Sequence, residues 1–222
     1  MNSAQSRVSH ESNVSLELAG AVISQRSQIS VFDDFLPNPD QVRESALRSG
    51  FGTWHPNKGD IGAAFYSGVN FWGDHASCFR ALHQRIGSFI PSSMFFRITN
   101  PSMERALIHS DREYGERTAI IYLSQASSDV SGTAFYRHRE TGMTEMPPLE
   151  ELMRDPHFFE QFKRDMTDES AWERYEFVAA RYNRCVVFDA PLIHCRIPQV
   201  GYGSSESDSR MVWVAHFGVP HA

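Results

Sequence analysis

The chain has 222 residues, 41% apolar and 22% charged, which is enough for one domain with a full hydrophobic core. Its net charge is −6 with no block of Lys or Arg, so a nucleic-acid partner is not expected, and no apolar run approaches the roughly 20 residues of a membrane span. The N-terminal stretch MNSAQSRVSHESN has no apolar segment of a secretory signal, and Cys78, Cys185 and Cys195 show no framework spacing. A cytoplasmic protein in a reducing interior is expected.

Residues 1–15 are polar and read as a flexible arm, leaving residues 16–222 as a single domain. Weak alternation from Val14 to Val31 suggests one or two edge strands. A helix is predicted from Pro39 to Ser49, with Asn38 as N-cap, Asp40 at the positive end and Gly50 as the stop. Residues 51–74 are aromatic, Gly-rich and aperiodic, and read as a long loop that carries function or covers a pocket. Phe79, Leu82, Ile86 and Phe89 sit at helical spacing within His75–Phe89. Met94–Thr99, Thr118–Leu123 and Gly132–Tyr136 read as strands. Pro147-Pro148 then opens a charged helical stretch near 146–172, an insertion between strands rather than a second domain. Phe177–Arg181 and Cys185–Phe188 are strands around a Tyr182-Asn183 turn, and the apolar run on to His194 extends the latter. A Gly/Ser-rich loop over 199–209 precedes a last alternating strand from Arg210 to Phe217. The expected fold is mainly β with flanking helices, a double-stranded β-helix or jelly roll of the cupin kind.

The chemistry centres on IHSDREYGERTAIIYLS, which begins at Ile108. His109 and Asp111 are two residues apart and face the same way in an extended chain, so they converge on one point. His194 is a third donor. Two imidazoles and one carboxylate with open positions suit a non-haem Fe(II) centre.

With FDDFLPNPDQVRESAL, GTAFYRHRETG and NRCVVFDAPLIHCRIP, these stretches resemble the Fe(II)/2-oxoglutarate-dependent oxygenases, specifically their prolyl-hydroxylase-like branch and its small bacterial members. The resemblance spans most of the chain from about residue 31 onward. It implies Fe(II) held by His109, Asp111 and His194, with 2-oxoglutarate chelating the metal and its distal carboxylate on Arg210. An Arg fork suits that carboxylate. Arg196 is the rival, provided its strand continues past Cys195. Tyr122 would add a phenol hydrogen bond to the co-substrate. The implied activity consumes O2 and oxidises a C–H bond of a small-molecule or amino-acid-like substrate, by hydroxylation, desaturation or cyclisation.

Other residues keep two readings. His138 is a group near the site or merely exposed. His216 is better explained as a satisfied wall histidine. Arg97 and Arg117 bracket the mouth of the barrel as clamps or as ion-pair partners, and Arg137 and Arg139 read as a solvated strand end. Trp54, Phe65, Tyr66, Phe71 and Trp72 form an aromatic lid or pack on the barrel. Cys195 should face away from the metal. Two competing functions remain: a catalytically silent jelly-roll binding protein, and a cupin-type metal dioxygenase that needs no co-substrate. A homodimer is compatible with the sequence.

Overall fold

The computed structural model describes residues 28–55, 66–125 and 129–218. The arm expected at residues 1–15, and any strand before residue 28, lie outside that set. Among the described residues the order is β1 (Ile29–Phe32), α1 (Pro39–Ser49), β2 (Gly52–Trp54), β3 (Tyr66–Asn70), α2 (His75–Ile86) and β4 (Ile90–Thr99). There follow β5 (Arg117–Tyr122), β6 (Gly132–His138), α3 (Leu149–Leu152), α4 (Pro156–Asp165), β7 (Trp172–Ala179), β8 (Cys185–Asp189), β9 (His194–Ile197) and β10 (Arg210–Gly218).

The strands form a seven-stranded sheet, β1-β8-β5-β10-β4-β3-β2, facing a three-stranded sheet, β7-β6-β9. A backbone bridge between His109 and His194 adds the His109 segment to the smaller sheet, beside β9. Counted from β4 with that segment as second, the first, eighth, third and sixth strands then share one sheet. The second, seventh, fourth and fifth share the other. This alternate winding is the jelly roll.

Alternation of side chains divides the core into three layers. One face of the large sheet, with Ile121, Trp213 and Phe96, is covered by Val42 and Ala46 of α1 and Leu82 of α2. Its other face, with Ile120, Tyr122, Val186 and Val212, meets Phe135 and Val178 of the small sheet. Phe162 of α4 covers the back of the small sheet at Ala134, Trp172 and Cys195. The interior between the sheets stays open at one end, and there the functional groups collect.

Pro39 and Asp40 open α1, and Gly50 at φ +76° ends it in a conformation that suits glycine. Asn38 precedes the helix, but its side chain makes no capping bond. α2 stops at Ile86, before Phe89, which packs back onto Phe79 with ring centroids 4.9 Å apart. Two expectations are corrected. Residues 51–74 are no simple loop, because β2 and β3 lie within them and extend the large sheet. Nor does His194 end the strand begun at Cys185. That strand stops at Asp189, and His194 opens β9 in the opposite sheet. No helix among the described residues is long and apolar enough to cross a membrane.

Candidate metal centre

His109 and His194 are joined through their backbones: the His109 amide donates to the His194 carbonyl at 3.0 Å, and the His194 amide donates back at 2.7 Å. Such a pair shares a face of the sheet, and the two rings lie 4.6 Å apart. Each ring is oriented in the same way. His109 Nδ1 lies 2.8 Å from the Leu107 carbonyl, and His194 Nδ1 lies 2.9 Å from the Leu192 carbonyl. A carbonyl only accepts, so both Nδ1 atoms carry a hydrogen, and in the neutral ring that tautomer leaves the lone pair on Nε2.

Asp111 follows where the chain leaves the bridge, its amide donating to the Ala190 carbonyl at 2.9 Å. Its carboxylate stands between the imidazoles, Oδ1 3.6 Å from His109 Nε2 and Oδ2 3.4 Å from His194 Nε2. One ligand atom from each of the three residues falls within 4.8 Å of the others. Thr118 on β5 donates its hydroxyl to Oδ2 at 2.8 Å, and His216 Nε2 on β10 lies 3.5 Å from the same oxygen.

Burial opposes charge on Asp111, but the imidazoles of His194, His216 and His109 outweigh it and hold the carboxyl well below its usual range. His109 moves the other way: burial, then the neighbouring His194, lower it to about 4. Its side chain is 37% accessible, an opening toward the cavity. An ionised carboxylate and two imidazoles whose Nε2 atoms converge on it are the donor set a divalent metal takes, and hydrogen-bonded Nδ1 atoms are the usual support for such ligands. The residues present fit that group.

The three residues line a cavity of about 460 Å³. Arg210 reaches it from the first position of β10, 4% exposed, with its Nε unpartnered. Thr99, opposite Arg210 in the ladder, and Tyr202, whose carbonyl accepts from the Arg210 amide at 3.3 Å, also bury a hydroxyl without a partner. Strand β9 does continue past Cys195, so Arg196 shares the face of His194 and lines the same cavity. Burial, then Arg97 and Arg210, lower Arg196 to about 9. Tyr122 is not part of the lining; its hydroxyl donates to Thr133 Oγ1 at 2.7 Å, and Thr133 does line the cavity.

His138 is not exposed. It lies on the far side of the small sheet, 1% accessible, its Nε2 3.1 Å from Asp165 of α4. Arg97 is ion-paired with Glu104, and Arg117 lies 3.3 Å from Asp189. Of the early aromatic residues, Trp54, Tyr66 and Phe71 line the cavity; Trp72 points out, 82% exposed, and Phe65 lies outside the described residues. Reading the sequence missed the contacts of Thr118 and His216 with Asp111. Counting in twos puts His216, six positions after Arg210 on one strand, on the same face as Arg210, but not beside Asp111.

The chain belongs to a family of unknown function (DUF6445), matched over residues 17–207. No curated protein matches it in sequence. Among solved structures, AviO1 from Streptomyces viridochromogenes Tue57 is similar at 16% identity, over 88% of this chain and 91% of that one, with a TM-score of 0.49. The non-heme alpha-ketoglutarate-dependent carbocyclase SnoK from nogalamycin biosynthesis is similar at 16% identity, over 86% and 80%, with a TM-score of 0.49. HygX from Streptomyces hygroscopicus, solved with nickel and 2-oxoglutarate bound, is similar at 12% identity, over 85% and 81%, with a TM-score of 0.49.

Proposed function

We propose that this protein is a non-haem Fe(II)/2-oxoglutarate-dependent dioxygenase that oxidises a C–H bond of a small-molecule or amino-acid-like substrate, by hydroxylation or by desaturation or cyclisation. The observation that carries the reading is the convergence of His109 Nε2, His194 Nε2 and the Asp111 carboxylate in the lining of one cavity. Fe(II) held there, with 2-oxoglutarate and O2, would supply the oxidising chemistry that no side chain provides.

The protein's own part is binding and orientation. His109 and His194 present fixed lone pairs because the Leu107 and Leu192 carbonyls hold their Nδ1 hydrogens. Thr118 steadies Asp111 so that one carboxylate oxygen remains for the metal. Arg210 is a buried guanidinium with an open donor, and the distal carboxylate of 2-oxoglutarate is its partner in this reading. Apolar walls from Ile120, Val212 and Val214 keep water away from the reacting groups.

The test is an anaerobic titration of metal-free protein with Fe(II) and then 2-oxoglutarate, following the visible charge-transfer band of the chelate. The band should need both additions, vanish in His109→Ala and weaken at least tenfold in apparent affinity in Arg210→Ala. Metal binding without a band would favour the co-substrate-independent dioxygenase. Binding of neither would leave the silent binding protein.

A further inference from the structure

The cavity holds more positive charge than one co-substrate can use. Arg97, Arg196 and Arg210 all line it with an unpartnered Nε, and the carboxylate beside them is Glu104. Glu104 is taken up by Arg97. Arg196 is 8% exposed and reaches only the Glu104 backbone carbonyl, through Nη2 at 2.7 Å. Among the described residues neither Arg196 nor Arg210 has a carboxylate within ion-pair distance. Arg105, also in the lining, is paired with Glu169. A buried guanidinium without a counter-charge is strongly unfavourable. Because 2-oxoglutarate chelates metal with one end, it brings a single distal carboxylate to this cluster, and Arg210 takes it. One guanidinium is left over, enough for a monoanion.

The opposite wall is aromatic and continuous with the metal centre. Trp54 stacks on Tyr66 at 5.7 Å and meets Phe71 edge-on at 6.4 Å; Phe71 meets Phe95 at 6.1 Å. Phe95 lies 5.9 Å from the ring of His216, which itself stands 3.5 Å from the Asp111 carboxylate. At its other end the wall joins the charged cluster, the Arg97 guanidinium lying 4.9 Å over the Tyr66 ring. Cation, aromatic wall and metal centre therefore share one cavity.

The geometry points to an aromatic carboxylic acid as the substrate class, its ring on the wall of Trp54, Tyr66, Phe71 and Phe95 and its carboxylate on Arg196. This inference rests on the oxygenase reading for what happens to the ligand, but the binding site stands on its own contacts. It makes Arg196 the specificity-determining residue and explains why the chain places a second bare guanidinium two residues from a metal ligand. Rings contribute area and shape, while the ion pair rejects the neutral analogue, which would leave Arg196 buried and unpaired.

The test is isothermal titration calorimetry on the whole protein, anaerobically, both metal-free and with Fe(II) and saturating 2-oxoglutarate. The probes are 3-phenylpropanoate, its primary amide and hexanoate. In both conditions the aromatic acid should bind at least tenfold more tightly than the amide and than hexanoate. With Fe(II) and 2-oxoglutarate bound, Arg196→Gln should remove the preference for acid over amide and Arg196→Lys should keep most of it; in metal-free protein, where Arg210 is also free, Arg210→Gln should leave the preference in place and combining it with Arg196→Gln should remove it. Trp54→Ala should weaken acid and amide alike. An amide as good as the acid, or a preference that survives Arg196→Gln with 2-oxoglutarate bound, overturns the inference, as does equal binding of hexanoate. Acid preference without any Fe(II) binding would sustain this site and reject the oxygenase reading. The reverse pattern would reject this site alone.

Discussion

His109 carries a pH dependence of its own. Unfolded, it takes a proton near its ordinary pKa of 6.5; folded, it stays neutral down to about 4. Between those values the unfolded chain binds more protons, so metal-free protein loses stability as pH falls through this window. Accessibility of 37% at the side chain softens the effect. Urea unfolding at successive pH values should show a shallower decline for His109→Gln than for wild type between about pH 6.5 and 4, and equal slopes would assign the loss to other groups. Residue chemistry was partly legible in the sequence. A His-x-Asp pair announces itself by spacing, and so does an Arg at the head of a strand. The contact between His216 and Asp111 does not, because it joins two strands whose pairing no local pattern records. Arg196 shows the same limit: its face depended on whether β9 ran past Cys195, and that was decided by pairing with Thr133 of β6.

The turn between β7 and β8 illustrates what an element needs beyond propensity. Asn183 sits there at φ +61°, a left-handed conformation open to Asn and Gly at little penalty. Its side chain accepts from the Leu36 amide at 2.8 Å and donates to the Leu36 carbonyl at 3.0 Å, fastening the entry to α1 onto the large sheet. Asn183→Ala should therefore cost about 2–3 kcal/mol, from two buried hydrogen bonds and the strained φ, and Asn183→Gly should recover roughly 1 kcal/mol of it. Chemical denaturation checks both, and a neutral Asn183→Ala would refute the role. Legibility varied among elements for definite reasons. α1 was plain because Pro39 and Gly50 mark both ends. β3 was hidden because Gly68, at φ +69°, breaks its alternation; a Cβ there would come within 2.4 Å of the Ile98 carbonyl. The run CVVFDAPLIH looked like one strand because Cys185–Phe188 and Ile193–Cys195 are buried on both faces, with only Asp189 and Pro191 to mark the corner between sheets.

At the level of the whole molecule the jelly roll was readable, since short apolar segments with turns between them recur from Met94 onward, but the strand number was not, because β2 and β3 were read as loop and β8 and β9 as one strand. Which strands become neighbours was not, because pairing depends on loop closure and on which faces find cover. Among the described residues two helices cover one sheet and α4 covers the other, and the interior between the sheets holds the cavity. The bridge between His109 and His194 belongs to that global pairing, and it has a consequence for how a metal would bind. His109 and His194 are clamped amide to carbonyl by bonds that involve no ion, so the pairing of these distant segments does not itself depend on a metal. Hydrogen exchange at the His109 and His194 amides should then be equally slow with and without Fe(II); protection that develops only with the ion would mean the centre assembles around it. With equal protection, the ligands' ordering is completed during folding, and a metal would meet a receptor whose affinity is not diminished by a conformational search.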